Sequence, residues 1–230
     1  GSSATRIAKG ATTAIPIVMA QDSNPVGDSF VASLARPGGN ITGLSTLAPE
    51  ISGKRLELLT EIISKLSRVT VLGNSSNPAN ASALNETQNA ARALGLKLEF
   101  LEMQNLKDVE DVFRAASKVG SQALLTLQNP LSGIHEKRIV ELAAKYRLPA
   151  MYHRRELVDA GGLMFYGTDS IDLHRRAATF VDKIFKGAKP ADLPVEQPVK
   201  FEFIINLKAG KQIGLTIPPN VLARADKVIK

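Results

Sequence analysis

The sequence predicts an α/β protein of two lobes that exchange chain segments, each built on a mostly parallel sheet. Three observations predict it. Short apolar runs alternate with longer stretches of helical apolar spacing, a βαβα order whose right-handed crossovers give parallel strands with helices on both faces. Gly, Pro and Asn clusters punctuate those runs. After a long helix, a Pro-rich polar excursion over 187–198 interrupts the alternation, and two lobes joined by a crossover accommodate it better than one sheet.

The elements follow in order. Ser2 or Ser3 can cap a helix through about Lys9, and Ile15 to Ala20 reads as a short buried strand. Val26 to Leu34 carries a helical apolar pattern, stopped by Arg36-Pro37-Gly38-Gly39-Asn40. A strand over 41–45 and an amphipathic helix over 51–63 come next. The following pattern is cleaner, with strands at 68–73, 97–101 and 122–127 and helices at 79–94, 106–119 and 132–146. Apolar strands at 149–152 and 162–166 precede a strong helix over 171–185. Beyond the excursion lie a strand at 200–205, a helix near 207–213 and a polar tail with Pro218-Pro219. This order assigns 1–66 plus 169–196 to one lobe and 67–168 plus 197–230 to the other.

Composition narrows the function classes. The 230 residues include no Cys and three His, which excludes cysteine nucleophiles, disulfides and thiolate metal sites. The three histidines, His135, His153 and His174, have no metal-ligand spacing, so no metal is expected. No apolar run reaches the roughly 18 to 20 residues needed to cross a bilayer. The net charge of +7 invites a nucleic-acid reading, yet Lys and Arg are interleaved with Asp and Glu and aromatic residues are only 5%, so no nucleic-acid partner is expected. There is no G-x-S-x-G elbow, no phosphate loop and no dinucleotide glycine fingerprint, and neither an enzymatic activity nor a cofactor is expected.

Binding chemistry has better candidates. In open parallel sheets ligands meet the loops at the strand carboxyl ends, where helix amino termini offer unpaired N–H groups. Three short polar segments fall there: Gln21 to Asn24, Asn74 to Asn77, and Gln128 to Pro130. Asn74, Ser75 and Ser76, followed by Pro78, could surround a small carboxylate, and would equally serve as a turn and helix cap. Asp22, beside Ser23, could meet a ligand ammonium or cap the next helix, while Asn129 could hydrogen-bond to either end of a zwitterion. Tyr152 and Tyr166 follow apolar strands and could wall a pocket or fill the core.

A resemblance covers nearly the whole chain. The run Val31-Ala32-Ser33-Leu34-Ala35-Arg36-Pro37-Gly38-Gly39-Asn40-Ile41-Thr42-Gly43 and the run Lys54-Arg55-Leu56-Glu57-Leu58-Leu59 carry its first part. Gly161 to Gly167, Val181 to Pro198 and Phe201 to Pro219 carry the rest. Together they resemble the substrate-binding family of ABC transporters that includes tryptophan/tyrosine-type importers. The resemblance implies a periplasmic-binding-protein-like type I fold: two Rossmann-like lobes with parallel sheets, crossover segments and a ligand cleft between the lobes. It implies capture of an amino acid, aromatic or branched apolar ones favoured, or a related small carboxylate, for delivery to a membrane permease with its ATPase. A stand-alone small-molecule sensor is the alternative. The family's strand-end contacts match Asp22 and Ser23 in the first lobe and Asn74, Ser75, Ser76 and Asn129 in the second, with Tyr152 and Tyr166 near the cleft. A periplasmic or extracellular, membrane-associated location is implied.

Family members ordinarily carry further strands and helices before the point that Gly1-Ser2-Ser3-Ala4-Thr5 resembles. The expectation is therefore a first lobe short of roughly two βα units, and either an association between copies that covers it or an incomplete, mobile first lobe.

Overall fold

The computed structural model describes residues 1–75, 77–128 and 135–230. In chain order the elements are α1 (Ser2–Ala11), β1 (Ile17–Asp22), β2 (Ile41–Ser45), α2 (Ala48–Ile62), β3 (Arg68–Gly73), α3 (Pro78–Leu94), β4 (Lys97–Glu102), α4 (Leu106–Lys118) and β5 (Ala123–Thr126). They continue with α5 (Glu136–Lys145), β6 (Ala150–Tyr152), α6 (Arg155–Asp159), β7 (Met164–Thr168), α7 (Ser170–Phe185), β8 (Phe201–Asn206), α8 (Leu207–Ile213), α9 (Pro219–Leu222) and β9 (Lys227–Ile229). The chain divides into two compact units, Gly1–Ala48 with Thr168–Phe201, and Pro49–Gly167 with Glu202–Lys230.

The first unit is a small sandwich around β1 and β2, which pair in parallel with Ile17 opposite Ile41. Strand alternation sorts its side chains onto two faces. Ile17 and Met19 pack with Phe30, Val31, Ile41 and Val195. Val18 and Ala20 pack with Leu44 and with Leu173, Ala177 and Phe180 of α7. The start of α7 is fixed by Asp169, whose carboxylate accepts from the backbone N–H groups of Ile171 and Asp172 at 2.9 and 3.0 Å. Gly43 has φ +127°, and a Cβ there would stand 2.2 Å from the Met19 carbonyl oxygen, so the β1–β2 approach requires glycine.

The second unit holds a seven-stranded sheet in the order β4-β3-β5-β6-β7-β8-β9, whose β3–β4, β3–β5, β5–β6, β6–β7 and β8–β9 pairs are parallel. Its two faces are again sorted by alternation. Val69, Val71, Leu125, Met151, Met164, Phe203 and Ile205 face α2, α3 and the carboxyl-terminal segment. Leu72, Leu124, Tyr152, Phe165 and Ile204 face α4, α5 and α6. Both faces are buried, so these strands read as continuous apolar runs.

Three expectations change. The segment 26–34 is not helical but a chain of turns, with Ser29 at φ +58° and Gly27 beside it. Its apolar residues Phe30 and Val31 are nevertheless buried, so their spacing reports burial and not helix. The helix α2 lies with the second unit, moving the first boundary from 66/67 to 48/49, because Leu56, Leu58, Leu59 and Ile62 are in the core with Val69 and Val71. The polar tail contains α9 and the edge strand β9, whose three residues are too few for periodicity to register.

Candidate functional site

In the first unit the carboxyl end of β1 brings Asp22 and Ser23 together. The Asp22 side chain is fully buried. The Ser2 hydroxyl donates to its Oδ1 and the Thr5 hydroxyl to its Oδ2, each at 3.0 Å, and the Asn24 N–H approaches Oδ1 at 3.4 Å. Since the Ser2 proton is spent on Asp22, the 3.1 Å contact between the Ser2 and Ser23 hydroxyls has Ser23 as donor. Burial raises the Asp22 carboxyl above its ordinary range, opposed by the Thr5 and Ser2 hydroxyls and the Asn24 N–H, and helped by the charge of Asp28. Asp22 thus holds the first turn of α1 onto β1.

In the second unit Asn74, Ser75 and Asn77 follow β3 and lead into α3. The Asn74 carbonyl accepts from the Asn77 N–H at 3.0 Å and from Asn80 Nδ2 at 2.9 Å. Asn77 Nδ2 donates to the Gln128 carbonyl at 2.9 Å, tying this loop to the chain leaving β5. Ser75 is exposed and donates to Glu102 at the end of β4. That hydroxyl foremost, with the Gln104 side chain, holds the Glu102 carboxyl below its ordinary range. Asn80 is 2% exposed, and among the described residues its Oδ1 has no hydrogen-bond partner. Two expected contacts, Ser76 and Asn129, lie outside the described residues.

The tyrosines part ways. Tyr152 is fully buried on the face covered by α4, α5 and α6, and Gly162 leaves room for its ring: a Cβ there would be 2.4 Å from Tyr152 Cε2. Its phenol is pushed upward by burial, so its ring is core and does not wall the strand-end loops. Tyr166 is half-buried, with its ring edge-on to Phe203 at 6.1 Å.

The same strand ends carry a cluster that the polar-loop argument passed over. Arg55 of α2 is 6% exposed; its Nε donates to the Tyr166 carbonyl at 2.6 Å and its Nη2 reaches the His153 carbonyl at 3.4 Å. Burial lowers its pKa to about 10, partly offset by the neighbouring Tyr166. The Thr126 hydroxyl, at the end of β5, accepts from the His153 N–H at 3.0 Å and lies 2.8 Å from His153 Nδ1. The direction of that last contact follows the imidazole tautomer, since the hydroxyl can accept a second hydrogen bond as well as donate one. Although the residue as a whole is only part-buried, its imidazole is desolvated. That desolvation, with Arg55 and Arg154 nearby, holds His153 neutral, well below the ordinary histidine range. A signal for Arg55 did exist: Ser52, Arg55, Leu56, Leu59 and Ile62 share one buried helical face, on which an arginine is out of place.

Among the described residues no group of three or more His, Asp or Glu is placed to hold a metal ion, and no helix is long and apolar enough to cross a membrane. Each unit by itself offers binding groups: the first hydroxyls and a buried carboxylate after β1, the second amides, hydroxyls and a buried cation at its strand ends.

Sheets of this order, with helices on both faces, are those of periplasmic-binding-protein-like proteins. The model of the ABC transporter substrate binding protein family matches residues 1–229, and the chain belongs to that family. A conserved domain protein from Vibrio cholerae is similar, with a TM-score of 0.92 and 27% identity over 99% of this chain and 76% of its own. So is an ABC domain from Streptococcus pneumoniae solved in complex with L-Trp, with a TM-score of 0.91 and 26% identity over the same shares. A tyrosine-binding protein of Clostridioides difficile is 25% identical over 206 residues, 89% of this chain and 59% of the relative. The chain thus spans less than two thirds of that curated relative.

Proposed function

We propose that this chain captures an amino acid, with aromatic ones favoured, for an ABC importer, and does so outside the cytoplasmic membrane. The family match over residues 1–229 carries the reading, and relatives described as tyrosine-binding or solved with L-Trp give it a ligand class. The permease and ATPase of such an importer are the proposed partners, and the chain binds without turning its ligand over.

The proposed polar contacts are Asp22 and Ser23 in the first unit and Asn74 and Ser75 in the second, together with Ser76 and Asn129, which the sequence adds. Parallel-sheet chemistry supports them, since a zwitterion needs both acceptors for its ammonium and N–H or hydroxyl donors for its carboxylate. Tyr166 supplies an aromatic edge at the end of β7.

Native mass spectrometry of the purified chain, followed by identification of the released small molecule and a thermal-shift panel of the twenty amino acids, tests the reading. An amino-acid-sized adduct and a melting shift confined to aromatic or branched members are expected. No adduct and no shift across the panel refute it.

A further inference from the structure

We propose that Arg55 receives an anionic group of the ligand, the carboxylate of the captured amino acid, at the carboxyl ends of β5, β6 and β7. The inference deepens the amino-acid reading and rests on it for the identity of the ligand.

The first support is a charge without a counter-charge. Among the described residues no carboxylate lies within ion-pair distance of Arg55, although fourteen other such contacts occur, almost all at the surface. The residues outside that description, Ser76 and 129–134, contain no Asp or Glu. A buried guanidinium costs several kcal/mol in desolvation and is ordinarily held by a carboxylate or phosphate. Here it has two backbone carbonyls, those of Tyr166 and His153, which accept hydrogen bonds but bring no net charge.

The second support is the placement. Arginine carries five N–H donors in a planar fork, and two carbonyls take only part of that set. The fork sits where three parallel strands end, the part of such sheets where ligands bind. Gly167 belongs to the same arrangement, because a Cβ there would stand 3.1 Å from Arg55 Nη2 and crowd the guanidinium. The hydroxyl of Thr126 and the neutral imidazole of His153 border it without adding a competing anion. A carboxylate docking here meets a pre-positioned cation with its carbonyl contacts already made, so little ordering remains to be done.

Two ligand series and two variants test this. With the wild-type chain, replacing L-Trp by tryptophanamide, which keeps the ammonium and the ring but loses the anion, is expected to weaken binding by about 10- to 100-fold. In Arg55→Gln the acid falls to the level of the amide and the preference disappears, whereas Arg55→Lys keeps part of it. Acetate at constant ionic strength supplies a probe independent of the amino-acid reading. It is expected to raise the wild-type melting temperature saturably and to shift the Arg55 Nε–H resonance, identified by its loss in Arg55→Lys.

If no amino acid binds the wild type, the amino-acid reading fails, and the acetate titration still decides whether Arg55 is an anion receptor. The proposal is overturned if acetate leaves the Arg55 resonance unmoved, or if the wild type binds acid and amide alike. It is overturned equally if Arg55→Gln weakens acid and amide by the same factor, the mark of a residue that only braces the strand ends. Should Arg55→Gln fail to fold, the wild-type comparison and the resonance shift decide alone.

Discussion

Lowering the pH should loosen the second unit through His153, and the structure sets the sign and the ceiling. Thr126 Oγ1 accepts the His153 backbone N–H and lies 2.8 Å from Nδ1, and a proton added to the desolvated imidazole places a cation beside Arg55 and Arg154. Burial foremost, with the charges of Arg55 and Arg154, depresses the folded-state pKa well below the ordinary value, while in the unfolded chain it returns to about 6.5. The unfolded state then binds more protons, so the stabilisation is complete above about pH 7.5. It is lost as the pH falls through the unfolded value toward the folded one. The loss approaches but does not exceed about 1.4 kcal/mol per pH unit, the limit for one proton. Urea unfolding of the wild type and of His153→Asn from pH 7.5 to pH 5 measures it. The asparagine side-chain amide can donate to or accept from the Thr126 hydroxyl and does not titrate, so the difference between the two profiles isolates His153. That difference should grow as the pH falls, with the wild type losing more. A flat difference, or one that favours the wild type in acid, would refute a His153 held neutral by its surroundings.

Two further outcomes follow from single positions. Gly162→Ala should lower the urea midpoint by an amount equivalent to about 1–3 kcal/mol, because its Cβ would stand 2.4 Å from Tyr152 Cε2 and 2.5 Å from the Leu157 carbonyl oxygen. Adding Tyr152→Leu should recover only part of the loss, since the backbone clash remains; full recovery would place the whole cost on the ring. In Ser75→Ala, carbon-detected NMR of the Glu102 carboxyl should show its pKa moving upward toward the ordinary glutamate value, because the Ser75 hydroxyl is the chief cause of its depression. An unmoved titration would mean that Gln104 and the Ser75 backbone N–H set it.

The sequence by itself determined the alternation of strands and helices, the absence of cysteine chemistry, and the position of the polar loops at strand ends. These are local properties: period-2 and period-3.6 burial patterns, Gly and Pro punctuation, and residue counts. Locality also explains the failures. Val26 to Leu34 has helical spacing, yet Phe30 and Val31 are buried from a chain of turns, because what spacing records is contact with a core and not the backbone that delivers it. The last strand, Lys227–Ile229, is too short to be periodic and exists because the edge of β8 is available to pair with it.

Tertiary structure decided the rest. Both Tyr152 and Tyr166 follow apolar strands in sequence, but the first faces α4 to α6 and fills the core while the second sits half-buried at the end of β7. The Arg55 cluster draws on α2, β5, the residue after β6 and β7, with Arg55 98 residues from His153 and 111 from Tyr166, so no window of sequence contains it. The arginine could be seen as an anomaly on a buried helix face, but its lack of a carboxylate is a fact about distances. Burial and pairing are fixed only when strands distant in the chain become neighbours, and on them depends whether a charge is surface decoration or a receptor.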